Sequence, residues 1–512
     1  MILNEILASQ QIGFPILSAM IFIPLAAIIL LALIRDERMA FGIAIFVSVV
    51  ELLLSAVMIL NFDGSTANLQ FVEKSGMYHL GVDGISALFI PVTALLGLLA
   101  VLSSEATVKN NVRSYLMAML GFEAAMMGAF VAIDLMLFWM FFVAELVPSY
   151  FLIARHGTGE KRQAAAGNYL FMMAAAAVVL LVGFIQLGSA SGGATTFNLV
   201  EILSKNIPAS AQTQIFFLLC LGFAIKAPIF PFHTWLPRVL EHGPVVGASV
   251  FLVGVKLGTY GFLRFVIPLL PDASRDWFWL LALLGGIGMV YGALIALIQT
   301  NLRRLLAFAS LSHMGVVMLG LFSLNYQGLQ GGLLQMINLG ITGAGLFFVA
   351  GFMHTRLGPP ELARMGGLNQ RVPMLAMTFL VIGLAGVGMP GTSGFNGEHL
   401  VMIGAYQTHW IMALTVGVGT LLTAAYFLWF YQRAFVDAKW ESNAGTAAVV
   451  PDLKFRELLI AGAMATVIFA MGLFTGPFLK VMEGSLQAVA KRVEGSASPI
   501  KKPLAVAPSI GR

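Results

Sequence analysis

Ionisable side chains interrupt several long apolar stretches of this sequence. A charge inside an apolar stretch is costly, and such residues persist mainly where they are paired, hydrated or part of an ion path. A desolvated lysine beside a carboxylate can exchange a proton with it. We therefore predict a row of proton-exchanging groups made of Lys226, Glu145, Lys256, Glu398, Glu123 and His313.

The two members of this row with the strongest local signals lie beside helix breaks. Lys226 comes two residues before Pro228, and Glu398 closes a stretch that contains Pro390. Proline removes a backbone donor, and loosened backbone at membrane depth is tolerated only beside protein or water. Glu145 has an alternative role, in which it only pairs with a lysine to hold helices together. Glu51 is interpreted instead as facing a neighbouring subunit or pairing across a loop.

Other chemistries have little support in the sequence. The lone Cys220 cannot form an intrachain disulfide or hold a metal cluster. No two histidines have metal-ligand spacing, and the Gly-rich stretch 286–292 lies inside an apolar run, where it cannot be a phosphate loop. We expect no cofactor and no redox centre in this chain.

The composition of the chain indicates whether the protein is surrounded by water or by lipid. The chain has 512 residues, of which 59% are hydrophobic and 10% charged, with a mean hydropathy of +0.90. Soluble globular proteins carry about 25% charged residues. These values exclude a soluble enzyme, a nucleic-acid binder and a disordered chain, and they predict a polytopic protein embedded in a lipid bilayer.

Helices of about 20 apolar residues are needed to cross a bilayer. The sequence predicts an all-α membrane protein, a single domain over 1–512, with about fourteen such helices. The predicted spans are 14–34, 40–61, 85–104, 115–133, 135–154, 168–188, 212–232, 245–270, 276–298, 304–324, 330–355, 372–403, 408–436 and 456–479.

Two broken helices, the seventh and the twelfth, stand five helices apart. This arrangement is typical of duplicated inverted repeats with a site near the bilayer midplane. We predict a first repeat over 115–270 and a second over 276–436, each of five helices. A basic C-terminal tail, 481–512, follows them.

Basic residues in the loops predict the orientation, because cytoplasmic loops carry an excess of Lys and Arg. Alternate loops hold 17 of them, whereas the opposite loops hold 4, namely Lys74, Lys205, Arg264 and Arg275. The loops with 17 are predicted to be cytoplasmic, which puts both termini on the external side.

Four motifs together resemble a known family, the antiporter-like subunits of proton-pumping NADH-quinone oxidoreductase, or respiratory complex I. They are Ala224–Pro237, which contains Lys226, Asn301–Gly315, Met365–Leu368 and Met389–Glu398. The stretch Leu80–Ser86 and the chain length resemble subunit M, the mitochondrial subunit 4 type.

This resemblance implies proton translocation driven by quinone chemistry in partner subunits. Lys226, Lys256 and Glu398 match the family's lysines of helices seven and eight and its glutamate of helix twelve. The expected partners are the L and N types of antiporter-like subunit and the small K type, with NADH and quinone bound elsewhere. The expected location is the bacterial inner membrane.

Three positions depart from the family pattern. Val143 stands where a helix-five glutamate is usual, and Leu240 and Leu339 stand where histidines are usual. Glu145 lies two residues after Val143, about 200° around a regular helix. We hypothesise that Lys226 pairs with Glu145 or with Glu123 instead.

Other interpretations remain open at this point. The chain could conduct poorly and mainly transmit conformational change, or serve as a structural spacer in a membrane arm. It could also belong to a related cation/proton antiporter, a membrane-bound hydrogenase or a carbon-dioxide-hydrating complex.

Overall fold

A computed structural model describes residues 3–108, 110–192, 195–205, 207–437 and 450–495. Within these ranges the chain is a helical bundle with one small sheet at one end. The helices of the first half are α1 (Ala8–Gln11), α2 (Ile16–Leu33), α3 (Glu37–Leu60), α4 (Phe89–Thr107), α5 (Val112–Val131), α6 (Leu135–Ala144), α7 (Leu146–His156), α8 (Arg162–Ala190), α9 (Leu199–Ser204), α10 (Ala209–Lys226), α11 (Trp235–His242), α12 (Ala248–Gly261) and α13 (Ile267–Leu269).

The second half continues the bundle. Its helices are α14 (Pro271–Leu297), α15 (Leu302–Leu321), α16 (Tyr326–Leu357), α17 (Leu368–Arg371), α18 (Pro373–Val387), α19 (Ser393–Thr408), α20 (Trp410–Tyr431), α21 (Phe455–Leu473) and α22 (Thr475–Glu494). Two π-helical segments, Phe262–Val266 and Gln432–Val436, extend α12 and α20, and a 3-10 turn covers Leu362–Arg364.

Each predicted span overlaps a helix of the structure. In the described ranges, twelve helical segments are long and apolar enough to cross a membrane. Two shorter apolar helices, Phe89–Glu105 and Pro373–Val387, overlap the third and twelfth predicted spans. The all-α polytopic fold class is therefore confirmed, whereas the number of crossings and the repeat boundaries stay predictions.

Four helices form the interior of the bundle. The apolar stretches of α5, α12, α15 and α16 are 83–100% buried inside the protein, whereas those of the outer helices are mostly about one-third to one-half buried. The outer helices turn side chains such as Leu33, Leu60 and Leu421 outward, as expected of surfaces that face lipid. Most of the predicted proton-exchanging residues lie on the interior helices or on helices that pack against them.

A three-stranded sheet, which the sequence did not predict, includes part of the segment 62–84 between two predicted spans. Strand β1 (Glu5–Leu7) pairs in parallel with β2 (Leu69–Ser75), and β2 pairs antiparallel with β3 (Tyr78–Val82). Helix α22 lies at the same end of the bundle and contacts the loop between α3 and β2 at Gly64. Of the predicted basic tail, 481–494 belongs to α22, and 496–512 lies outside the described residues.

Candidate proton-exchange site

Lys226 and Glu145 form a buried ion pair. Lys226 is the last residue of α10, where the helix breaks before Pro228, and its Nζ lies 2.7 Å from Oε2 of Glu145. Both side chains are at most 2% exposed. Glu145 and not Glu123 is thus the carboxylate in contact with this lysine. The contact brings together the two groups that a proton transfer would need.

Neutral groups complete the surroundings of this pair. The other carboxylate oxygen of Glu145 accepts hydrogen bonds from Ser149 Oγ at 2.7 Å and from Tyr169 OH at 2.8 Å. The Lys226 ammonium lies 5.2 Å from the ring centroid of Phe142 and 5.9 Å from that of Tyr169. Cation–π attraction adds to the ionic contact. Sequence reasoning missed Ser149 and Tyr169, because a hydroxyl in an apolar helix carries no signal of its partner.

Glu145 stands at the junction of two helical segments. Helix α6 ends at Ala144 and α7 begins at Leu146, but Glu145 keeps helical angles, with φ at −62° and ψ at −25°, and its N–H donates to the carbonyl of Phe141 at 3.1 Å. Although Glu145 lies about 200° around the helix from Val143, its carboxylate contacts Lys226, which is one of the two pairings hypothesised from the sequence.

Lys256 occupies the interior of the bundle without an acidic partner in the described residues. It lies on α12, is 2% exposed, and its Nζ is 3.8 Å from Sδ of Met314. His313, the neighbour of Met314 on α15, lies close enough to Lys256 for the two to repel when both are charged. The Nε2 of His313 is buried and has no hydrogen-bond partner among the described residues. The structure thus puts both predicted residues in one interior region.

Glu398 is held by neutral donors. Gln335 Nε2 lies 3.4 Å from its Oε1, and Thr420 Oγ1 lies 3.2 Å from its Oε2. The break between α18 and α19 brings Gly388 beside the same carboxylate, so that a Cβ there would lie 2.7 Å from Oε2. None of the ion pairs among the described residues includes Glu398. Within that part of the chain, its carboxyl is therefore stabilised by the dipoles of an amide and a hydroxyl.

Helix α16 supplies amides that sequence reasoning missed. Gln335 reaches Glu398, and Asn338 donates to Gln335 Oε1 at 3.4 Å and to the carbonyl of Ser393 at 2.5 Å. Their signal is visible in the sequence as two amides three residues apart within the span 330–355. Residues three apart share a helix face, so the pair could have been recognised as a polar stripe.

A second buried ion pair joins Asp83 to Arg264. Asp83 lies in the motif Leu80–Ser86 and also accepts from the backbone of Ile85 at 3.0 Å. Arg264 lies in the π-helical segment after α12 and is 3% exposed. Counting Arg264 as a loop residue was therefore wrong. Its guanidinium fixes the turn after β3 to the end of α12.

Two family descriptions match most of the chain. Residues 19–129 match the amino terminus of NADH-ubiquinone oxidoreductase chain 4, and residues 132–423 match the NADH:quinone oxidoreductase/Mrp antiporter transmembrane family. A similar protein is NADH-quinone oxidoreductase subunit M of Rickettsia typhi, which is 34% identical over 496 residues covering 93% of this chain and 99% of that protein.

Solved structures of related complexes also contain chains that are similar to this one. A chain of respiratory complex I from Thermus thermophilus with bound NADH is 32% identical, with a TM-score of 0.84 over 93% of this chain and 99% of that chain. A chain of the Mrp complex from Dietzia sp. DQ12-45-1b has a TM-score of 0.82 over 94% of this chain and 100% of that chain, but at 22% identity it shows a shared fold alone. This chain therefore belongs to the NADH:quinone oxidoreductase/Mrp antiporter family, among its subunit M proteins.

Proposed function

We propose that this chain is a proton-translocating, antiporter-like membrane subunit of NADH-quinone oxidoreductase. In this proposal, quinone reduction in partner subunits drives protons along the buried residues described above. The family membership supports the activity, and the Lys226–Glu145 contact is the observation that carries the mechanism.

The first step is proton transfer within the ion pair. When the Lys226 ammonium gives a proton to Glu145, an N–H bond breaks, an O–H bond forms, and both groups become neutral. The neutral pair loses its Coulomb attraction, which is strong in a low-dielectric interior. A change of charge elsewhere in the assembly can therefore bias this exchange, because it acts on two groups that are already in contact.

Later steps use groups whose charges have no ionic partner among the described residues. Lys256 becomes neutral by losing a proton, and Glu398 becomes neutral by gaining one. Helix α10 packs against α12, α12 against α16, and α16 against α19, so the helices that bear Lys226, Lys256 and Glu398 are linked in that order. His313 lies beside Lys256 and is the candidate for passing a proton at the centre.

Several finer features belong to the same proposal. The chain carries no redox centre, and NADH and quinone bind to other subunits. Its direct partners are the L and N types of antiporter-like subunit and the small K type. Both termini lie on the external side of the bacterial inner membrane, and 115–270 and 276–436 are inverted repeats.

Two alternatives have specific observations behind them. Leu240 and Leu339 occupy positions where relay histidines are expected, which favours a subunit that conducts poorly and acts as a spacer. The fold shared with the Mrp complex favours a cation/proton antiporter. The 34% identity to a subunit M protein over 93% of the chain supports the first proposal over both.

Replacement of four residues tests the function in the assembled complex. The variants are Glu145→Gln, Lys226→Ala, Lys256→Ala and Glu398→Gln. Glu483→Gln, at a half-buried glutamate of α22 that accepts a hydrogen bond from Gln487, is the control. Copurification of the partner subunits checks assembly and identifies them. NADH-driven proton uptake into vesicles and quinone reduction are then measured together.

We expect the four variants to assemble and to lose most proton uptake, while the control keeps it. Unchanged uptake in all four assembled variants would refute translocation through these residues. Copurification with an antiporter complex that oxidises no NADH would replace the proposal by the second alternative.

A further inference from the structure

Glu51 lies inside the bundle and faces neither lipid nor a loop. It sits in the middle of α3, its side chain is 0% exposed, and neither carboxylate oxygen has a hydrogen-bond partner among the described residues. The interpretation of Glu51 as a residue that faces a neighbouring subunit or pairs across a loop is therefore wrong. A buried carboxylate without donors needs another form of compensation.

Glu123 is the other buried carboxyl beside Glu51. It lies on α5, which packs against α3, is 2% exposed, and is close enough for its charge to act on Glu51. Its carboxylate lies against Gly97 of α4, where a Cβ would be 2.6 Å from Oε1 and 2.8 Å from Oε2. Oε1 has no partner in the described part of the chain. The missing side chain of Gly97 thus makes the space that the carboxyl of Glu123 occupies.

None of the ion pairs formed by the described residues includes either of these two carboxyls. Between Arg38 and Glu105, α3 and α4 bear no ionisable side chain other than Glu51, and α2 has none. Helix α5 adds Arg113 near its start and Tyr115 two turns before Glu123. Glu145, between α6 and α7, is already paired with Lys226. The other ionisable residues on elements packed against α3 or α5 are Tyr78 and His79 of β3, Tyr150, Arg155 and His156 of α7, and Lys256 and Tyr260 of α12. Two ionised carboxylates here would repel each other in a low-dielectric interior.

A further unpartnered polar group lies on the same helix face. Ser48 precedes Glu51 by three residues, is 0% exposed, and its Oγ has no hydrogen-bond partner among the described residues. Positions three apart share one face of a helix. The hydroxyl offers a donor and an acceptor to a protonated carboxyl or to a water beside it.

We propose that Glu51 and Glu123 form a coupled carboxyl pair that retains one proton and exchanges a second. When the second proton leaves, the O–H bond of Glu123 breaks and one forms on the Glu145 carboxylate, giving a neutral Glu145 and an ionised Glu123. The retained proton on Glu51 ensures that the pair never carries two negative charges.

The packing of Glu123's neighbour supports Glu145 as the acceptor. A Cβ at Gly254 of α12 would lie 3.1 Å from the tip of Phe122 and 3.5 Å from Oε1 of Glu145. The residue adjacent to Glu123 and the carboxylate of the ion pair therefore contact the same point of α12. The transfer to Glu145 rests on the proposed function, whereas the protonation of the pair does not.

Infrared spectroscopy of the assembled complex in lipid tests the protonation. The variants are Glu51→Gln and Glu123→Gln, and Ser55→Ala, one turn along the same face of α3, is the control. We expect one protonated-carboxyl band that persists at all pH values and is lost in E51Q, and a second that changes with pH and is lost in E123Q. We also expect E51Q to move the pH dependence of the second band by about one pH unit or more.

Three results of this experiment would contradict the coupled pair. Absence of both bands, or an unmoved second band in E51Q, would overturn the coupled pair. Loss of the second band on addition of sodium ions would show that the two carboxyls form a cation site and not a proton-exchanging pair. Glu51→Asp and Glu123→Asp, which keep the carboxyl, provide the same readout if either glutamine variant fails to assemble.

Proton uptake by the same preparations separates this proposal from the function. We expect E51Q and E123Q to lower uptake severalfold while quinone reduction continues. If proton uptake stayed normal while the two bands behaved as expected, the proposed transfer from Glu123 to Glu145 would be refuted. The proposed coupled pair of Glu51 and Glu123 would still stand. Normal uptake in Glu145→Gln would count against the proposed function itself.

Discussion

At the scale of single residues, the buried glutamates of the two halves of the molecule have different kinds of partner. The first half has a complete ion pair, in which Lys226 and two hydroxyls together satisfy Glu145. The second half has Glu398, whose hydrogen-bond partners among the described residues are an amide and a hydroxyl. An ion pair has a large electrostatic energy that depends on both partners, whereas dipoles tolerate either charge state of a carboxyl. The two halves should therefore respond differently to loss of one group.

A double-mutant cycle measures the coupling of the first pair. Removing one partner of a buried pair typically costs about 3–5 kcal/mol, because the other charge is left uncompensated. We expect Glu145→Ala and Lys226→Ala each to lower the unfolding temperature of the purified complex clearly, and the double variant to lower it by less than the sum. Additive losses would contradict the pairing, and Ser189→Ala, an exposed hydroxyl on α8, is the control.

Residue types were predictable from the sequence, whereas their contacts were not. A charge within an apolar span is conspicuous, so Lys226, Lys256 and Glu398 were found directly. The partners Tyr169 and Gln335 are neutral, and their identity depends on how each helix is rotated in the bundle. That rotation is set by packing between distant segments, which the local sequence does not encode.

At the scale of elements, short interruptions in helices create the site. Helix α10 ends at Lys226, α6 and α7 meet at Glu145, and α18 and α19 are separated at 388–392. The backbone at Glu145 keeps helical angles, whereas the breaks after Lys226 and at 388–392 interrupt the regular helical spacing. The carboxylate of Glu398 depends on this most visibly, because it lies in the space above Gly388, whose φ is +81°.

Alanine at position 388 tests that dependence. A Cβ there would contact Oε2 of Glu398, and a left-handed backbone costs a residue other than glycine about 1–2 kcal/mol. We expect Gly388→Ala to assemble and to lower NADH-driven proton uptake severalfold. Gly386→Ala, where a Cβ would meet nothing within 4 Å, should keep normal uptake. Equal uptake in the two variants would show that the exact position of the Glu398 carboxylate is unimportant.

The spans of the helices were predictable because their length is imposed by the bilayer. Two features were not predicted, because they depend on contacts between segments that are distant in the sequence. Strands β2 and β3 lie in a mixed polar segment, where pairing is stabilised by docking onto the bundle and not by a local pattern. Arg264 was assigned to a loop because arginine usually marks one, but Asp83, 181 residues earlier, compensates its charge within the bundle.

At the scale of the whole molecule, α22 connects distant parts of the chain across one end of the bundle. Gly484 N–H donates to the carbonyl of Gly64 at 3.0 Å, and Ser485 Oγ accepts from the backbone of Gly84 at 2.9 Å. Further along, Arg492 donates to the carbonyl of Leu203 at 2.8 Å. One amphipathic helix thus contacts segments from both the start and the middle of the sequence.

Close approach at Gly484 makes this connection testable. A Cβ there would collide with the backbone of Thr66, whereas a Cβ at Gly476 in the same helix would meet nothing within 4 Å. We expect Gly484→Ala to lower the unfolding temperature and the yield of assembled complex, and Gly476→Ala to leave both unchanged. A normal yield and unfolding temperature for G484A would show that α22 is not needed to close the bundle.

The position of α22 near the end of the chain has a consequence for biogenesis. While the ribosome is still making the protein, the amide of Gly84 and the carbonyl of Gly64 lack the backbone and hydroxyl groups that later cover them. Closure of this end must therefore be one of the last events of membrane insertion, and translation that stops before Ser485 should yield a polypeptide that quality-control proteases recognise as unfinished.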